Sequence, residues 1–204
     1  MSAKNAHDGH ERERKMREEH EVFLSIEAME KVLTDYLGEI EWPQEPAIDF
    51  DFGESNKTLA IDVLLPSDEG IPDEEWSAPS NQYRLTSKKI STSKRREIYR
   101  DYVHSILMRV VGEIYARLPT VEHVMLSAYR EVVNPSNGNN QDEYIISVIV
   151  HRDRWESMSF SRLKKIDPVE VFAEHLLVRK MTKTGIFKAI TPFSMEQLDE
   201  QIFQ

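Results

Sequence analysis

"STSKRREIYRDYVHSILMRVVGEIYARLP", residues 91–119, decides how the rest of the chain must be arranged. From about Ser93, the residues Ile98, Tyr99, Tyr102, Val103, Ile106, Leu107, Val110, Val111, Ile114 and Tyr115 recur at helical spacing, and Pro119 closes the run. A helix that is apolar around much of its circumference is buried, so other elements must wrap it. Its first turn has a different character. Lys94, Arg95 and Arg96 follow closely on Lys88 and Lys89, at the helix end where the macrodipole already repels cations, a cost of some tenths of a kcal/mol to about 1 kcal/mol. Something negative must lie nearby. The internal source is the acidic stretch Asp68, Glu69, Asp73, Glu74 and Glu75. The external source is a phosphate or an acidic partner held by the free N–H groups of a helix start together with Lys and Arg. These five cations are the candidate anion- or partner-binding set, and the internal source is preferred.

Upstream of this helix the charge is blocked. Residues 44–80 hold ten acids against Lys57 alone, whereas residues 84–100 hold seven cations against Glu97. Within the acidic block, "AIDFDFG" alternates Ile48, Phe50 and Phe52 with Asp49 and Asp51, and "TLAIDVLLP" alternates Leu59, Ile61, Val63 and Leu65 with the opposite face. Two half-buried strands joined by a turn over Glu54–Lys57 make a hairpin. Residues 66–82 read as an irregular excursion, with a short strand at Tyr83–Thr86. Residues 1–10 are small and polar, a disordered leader. Residues 11–42 predict one long amphipathic helix, whose Val22, Ile26, Met29, Leu33, Tyr36 and Ile40 either dock on the core or mediate self-association.

Downstream, "VEHVMLSAYREVV" and "EYIISVIVHR" flank the turn-rich "NPSNGNNQD" and form a second hairpin, apolar on both faces and central in a sheet. "DPVEVFAEHLLVRKM" predicts a helix with Asp167 as N-cap and Pro168 at the first position. "TKTGIFKAITPF" is extended, and residues 194–204 form a tail with a short helix. The expected architecture is one α+β domain over residues 46–193, an antiparallel or mixed sheet from two hairpins around the central helix.

The stretches "IDVLLPSDEGIPD", "IYRDYVHSILMRVVGEIYARLP", "SVIVHRDRWESMSF…DPVEVF" and "KMTKTGIFKAITPF" resemble an uncharacterised bacterial domain of the C-terminal regions of some restriction-endonuclease-like and stress-related proteins. The resemblance covers about residues 46–193. It implies a DNA-related or defence setting and brings no catalytic residue with it.

The formal charge of −10 and the absence of any DNA- or RNA-binding motif make nucleic acid a less favoured partner than protein. No run approaches a membrane span, and the first fifteen residues lack the apolar core of a signal peptide, so a cytoplasmic location and no membrane are expected. Without cysteine there is no thiol chemistry. No cofactor is implied. Asp49, Asp51 and Asp62 are the one candidate metal set. The hairpin turn places Asp49 opposite Asp62, and such oxygens can hold magnesium as nucleases do, but the acid-x-lysine pair of a PD-(D/E)xK nuclease does not follow. His104, His123, His151 and His175 lack ligand spacing and read as packed or surface residues. Trp76 and Trp155 fall in predicted loops and read as lids on the core, the alternative being exposed anchors. The chain is therefore expected to be a non-catalytic interaction or accessory protein, the alternative being a metal-dependent nuclease or other phosphate-handling enzyme.

Overall fold

A computed structural model describes residues 2–53, 56–80 and 83–202, with side chains described from residue 9 to 198 except Glu18. Helix α3 (Thr92–Arg117) is the longest of the described helices, and nine of its side chains, from Tyr99 to Tyr115, are buried. It lies across a six-stranded mixed sheet of β1 (Ala47–Phe52), β2 (Thr58–Leu64), β5 (His123–Val133), β6 (Asn140–His151), β7 (Leu176–Met181) and β8 (Phe187–Lys188), in the order β1-β2-β5-β6-β7-β8. All neighbours are antiparallel except β2 and β5. Parallel neighbours need a long crossover, and α3 provides it.

Register explains which face the helix covers. Leu59, Ile61 and Val63 lie beside Val124, Leu126 and Ala128, which in turn lie beside Val150, Val148 and Ile146. All nine are at most 2% exposed. Alternation in each strand turns the intervening residues to the second face. There Met125 and Ile149 are covered by Leu198 of α6 (Met195–Ile202), with Phe193 and Met195 beside them. Ser127 and Ser147, paired across β5 and β6, share a hydroxyl hydrogen bond of 2.9 Å, and the Phe193 N–H donates to Ser147 Oγ at 3.0 Å.

The expected single N-terminal helix is two helices. Helix α1 (Ser2–Glu19) starts inside the residues expected to be a disordered leader, because "ERERKMREE" is built of strong helix formers. It ends before a 3₁₀ turn at Glu21–Phe23, and α2 (Ile26–Gly38) starts afresh, with Ser25 Oγ accepting the Ala28 N–H at 3.2 Å. α1 lies back along α2 through Arg14, whose guanidinium sits over the Tyr36 ring, and through an Arg17–Asp35 ion pair. The apolar stripe goes to the protein's own core: Val22, Met29 and Leu33 are fully buried and Val32 and Leu37 nearly so. Ile26, Tyr36 and Ile40 pack partly buried against the same core.

Two further expectations change. Asp167 does cap a helix and Pro168 opens it, but α5 (Pro168–Val171) stops after four residues, and Leu176–Met181 is strand rather than helix. The open edge of β6 at Ile146–Ile149 takes it as a neighbour, a non-local preference that local helix propensity does not outweigh. Between β2 and α3, part of the predicted irregular excursion is strand: β3 (Glu74–Ser77) pairs with β4 (Thr86–Lys89) as a separate two-stranded sheet. A last short helix, α4 (Arg152–Glu156), follows β6 directly.

Candidate functional site

The cations at the entry of α3 meet the acidic excursion, and the two form one unit. In the β3–β4 pair Glu74 lies opposite Lys89 and Glu75 opposite Lys88, cross-strand pairs of opposite charge that favour this register. Arg95 donates to Asp73 Oδ1 at 2.8 Å and to the Asp68 carbonyl at 3.0 Å. Lys94 pairs with Glu97 at 3.2 Å, and Ser91 Oγ caps the helix by accepting the Lys94 N–H. Lys94 and Arg95 thus each have a carboxylate of the same chain beside them, the sign of charge that a helix start favours. Arg95 and Arg96 also line a cavity of about 420 Å³ with Tyr99 and Arg130, and Arg130 is turned to Glu143 at 2.9 Å.

This unit stands away from the main sheet as an arm, and its apolar groups face solvent. Trp76 is 63% exposed, Leu85 64%, and Tyr83 fully exposed. The reading of the two tryptophans as core lids thus holds for Trp155, 3% exposed against Tyr115 and Phe160, and not for Trp76. Trp76 lies in β3 opposite Ser87, a pairing that provides no apolar surface to cover the indole.

The second face of the main sheet gathers the aspartates. Asp49 lies opposite Asp62, as the four-residue turn predicts, and Asp51 is two residues further along the same face, opposite Ala60. Asp62 is half-buried and accepts the Tyr144 hydroxyl at 3.2 Å. Burial raises its pKa above the usual carboxylate range despite that hydrogen bond, and the charges of Asp49 and Asp142 raise it further. Tyr144, burdened by burial and by Asp62, is pushed up to about 12. Among the described residues no group of three His, Asp or Glu side chains is placed to hold a metal ion.

The histidines separate into two settings. His104 is fully buried on α3, its Nδ1 2.6 Å from the Arg100 carbonyl and its Nε2 2.7 Å from an Arg179 nitrogen. His123 and His151 are cross-strand neighbours with ring centroids 4.8 Å apart. Burial, then His151, lowers the His123 pKa; burial, then Arg154 and His151, lowers that of His175. Sequence reasoning could not bring these three together, because the fold collects them from β5, β6 and the approach to β7.

Comparison with models of protein families, with curated proteins and with solved structures returns no match for this chain. Among the described residues no helix is long and apolar enough to cross a membrane.

Proposed function

We propose that the protein is an interaction or accessory component of a bacterial intracellular system, DNA-related or defence-related by the resemblance in its sequence, and that the β3–β4 arm meets its protein partner. The observation that carries this reading is the outward placement of Trp76, Tyr83 and Leu85 on a two-stranded unit. An isolated hairpin is marginally stable in water, and large exposed apolar groups on it add nothing to the fold. Aromatic anchors are what protein interfaces use most. At its base the segment is joined to the start of α3 by the Arg95–Asp73 ion pair and the Arg95 hydrogen bond to the Asp68 carbonyl. Nucleic acid is a less favoured partner, since Lys88, Lys89, Lys94 and Arg95 have internal carboxylates beside them and the formal charge is −10. The test is the double variant Trp76→Ala, Leu85→Ala. It should unfold at the same denaturant concentration as the parent, within about 0.5 kcal/mol as for surface changes, while losing whatever partner the parent retains in its native cell.

One observation favours the second reading, metal-dependent phosphate chemistry: the face-to-face placement of Asp49 and Asp62. Against it stand the raised pKa of Asp62, which weakens it as a cation ligand at acidic pH, and the hydrogen bond it already accepts from Tyr144. Calorimetric titration with magnesium or manganese separates the two. Heat that disappears in Asp62→Ala would favour the enzyme.

A further inference from the structure

Strand β1 ends the main sheet, and among the described residues no strand pairs with its outer side. One hydrogen bond decides which of its residues look outward. The Gly53 N–H donates to the Thr58 carbonyl at 3.2 Å, and bonded positions alternate along an antiparallel pair, so Asp51 and Asp49 are the residues that bond across to Ala60 and Asp62. The N–H and C=O groups of Ile48 and Phe50 therefore point away from β2. No other described group takes them up. A row of unpaired backbone groups of this kind is a template for one more strand.

Alternation sorts what an added strand would meet. On the core face it lies beside Ile48 and Phe50, partly buried against the main core. On the second face it lies beside Asp49 and Asp51, both exposed and without an ion pair among the described residues. The next strand adds Asp62 to the same face, opposite Asp49, so the negative charge there is unrelieved. A second copy of β1 is a poor occupant, because pairing about a two-fold axis brings these aspartates against their own counterparts, and like charges directly opposite destabilise a strand pair. Opposite charge reverses the sign. We infer that the free edge of β1 receives an extended segment of a protein partner, a strand in which lysine or arginine alternates with apolar residues. The edge belongs to the six-stranded sheet and the arm to the other sheet, so loss of binding at one leaves the other intact.

The probe is a fluorescein-labelled peptide of about eight residues alternating lysine and valine, long enough to span the six of β1, read by anisotropy against the full chain. A glutamate–valine twin and a peptide of the same composition with its lysines in one block are the controls. The alternating lysine peptide should bind about tenfold more tightly than either, and more weakly as salt rises. Backbone pairing is read apart from charge. Methylating the valine nitrogens in one peptide and the lysine nitrogens in another removes donors from one edge of the peptide at a time, so one of the two should lose about tenfold in affinity and the other should keep it. Asp49→Lys with Asp51→Lys should invert the preference, the glutamate peptide then binding the better. The methylated pair is tested on the unaltered chain and stands whether or not that variant folds. No binding, equal binding of the lysine and glutamate peptides, equal binding of the two methylated peptides, or an unchanged preference in the folded variant would overturn the inference. So would a dimer of the chain that excludes the peptide as it forms.

Discussion

Removing residues 1–41 should abolish soluble, folded protein. The deletion takes away Val22, Met29, Val32, Leu33 and Leu37, all of them buried and part of the main core. Full burial of such a side chain contributes about 1.5–3 kcal/mol, so the loss is on the order of 10 kcal/mol, comparable with the whole stability of a typical domain, roughly 5–15 kcal/mol. The α3 surface beneath would be bared at the same time. Expression followed by size-exclusion chromatography and circular dichroism reads the outcome directly. A soluble monomer with native helix content would mean that α2 is an accessory element, and its burial against α3 would then need another explanation.

The second large effect is acid sensitivity centred on His104. Burial pushes its pKa down to about 4 from 6.5, while the Arg100 carbonyl opposes and the Arg179 charge reinforces the shift. The unfolded chain takes up the proton near 6.5 and the folded chain refuses it until about 4, so the unfolded state binds more protons throughout that window and stability falls as pH falls through it. By pH 4.5 the loss from this one group is on the order of 2–3 kcal/mol. Gln at this position keeps an acceptor for Arg179 and a donor for the Arg100 carbonyl without the titration. Urea unfolding of His104→Gln and its parent at pH 7 and pH 4.5 should show the parent losing about 2 kcal/mol more than the variant. Equal losses would mean that His104 takes up its proton at the same pH in the folded and unfolded chain, and that burial does not hold it off. His123 and His175, also lowered, act equally in both proteins and cancel from the comparison.

Much of this architecture is legible in the residues because its signals are local. The Asp49–Asp62 register follows from strict alternation and a four-residue turn, and the central place of β5 and β6 follows from strands apolar on both faces. The break between α1 and α2 is harder to read, since the apolar stripe runs on through it and only Ser25, a helix-start residue in a proline-free run, marks the restart. β7 is illegible for a different reason: Leu176–Met181 becomes strand through the edge that β6 offers, a neighbour far away in sequence. The arm has a usable signal, Glu74-Glu75 against Lys88-Lys89, two opposite-charge doublets at hairpin spacing. The exposure of Trp76 has none, because composition does not distinguish an indole that lids a core from one that faces water.

Cross-linking from position 76 itself reads whether the indole faces a partner. With a benzophenone amino acid replacing Trp76 in the full chain, irradiation in the native cell should give one discrete adduct with a second protein, and the yield should fall when Leu85 is also replaced by alanine. If the only covalent products are internal, tying position 76 to the protein's own core, the arm is packed on the fold and its role as a recognition element is contradicted.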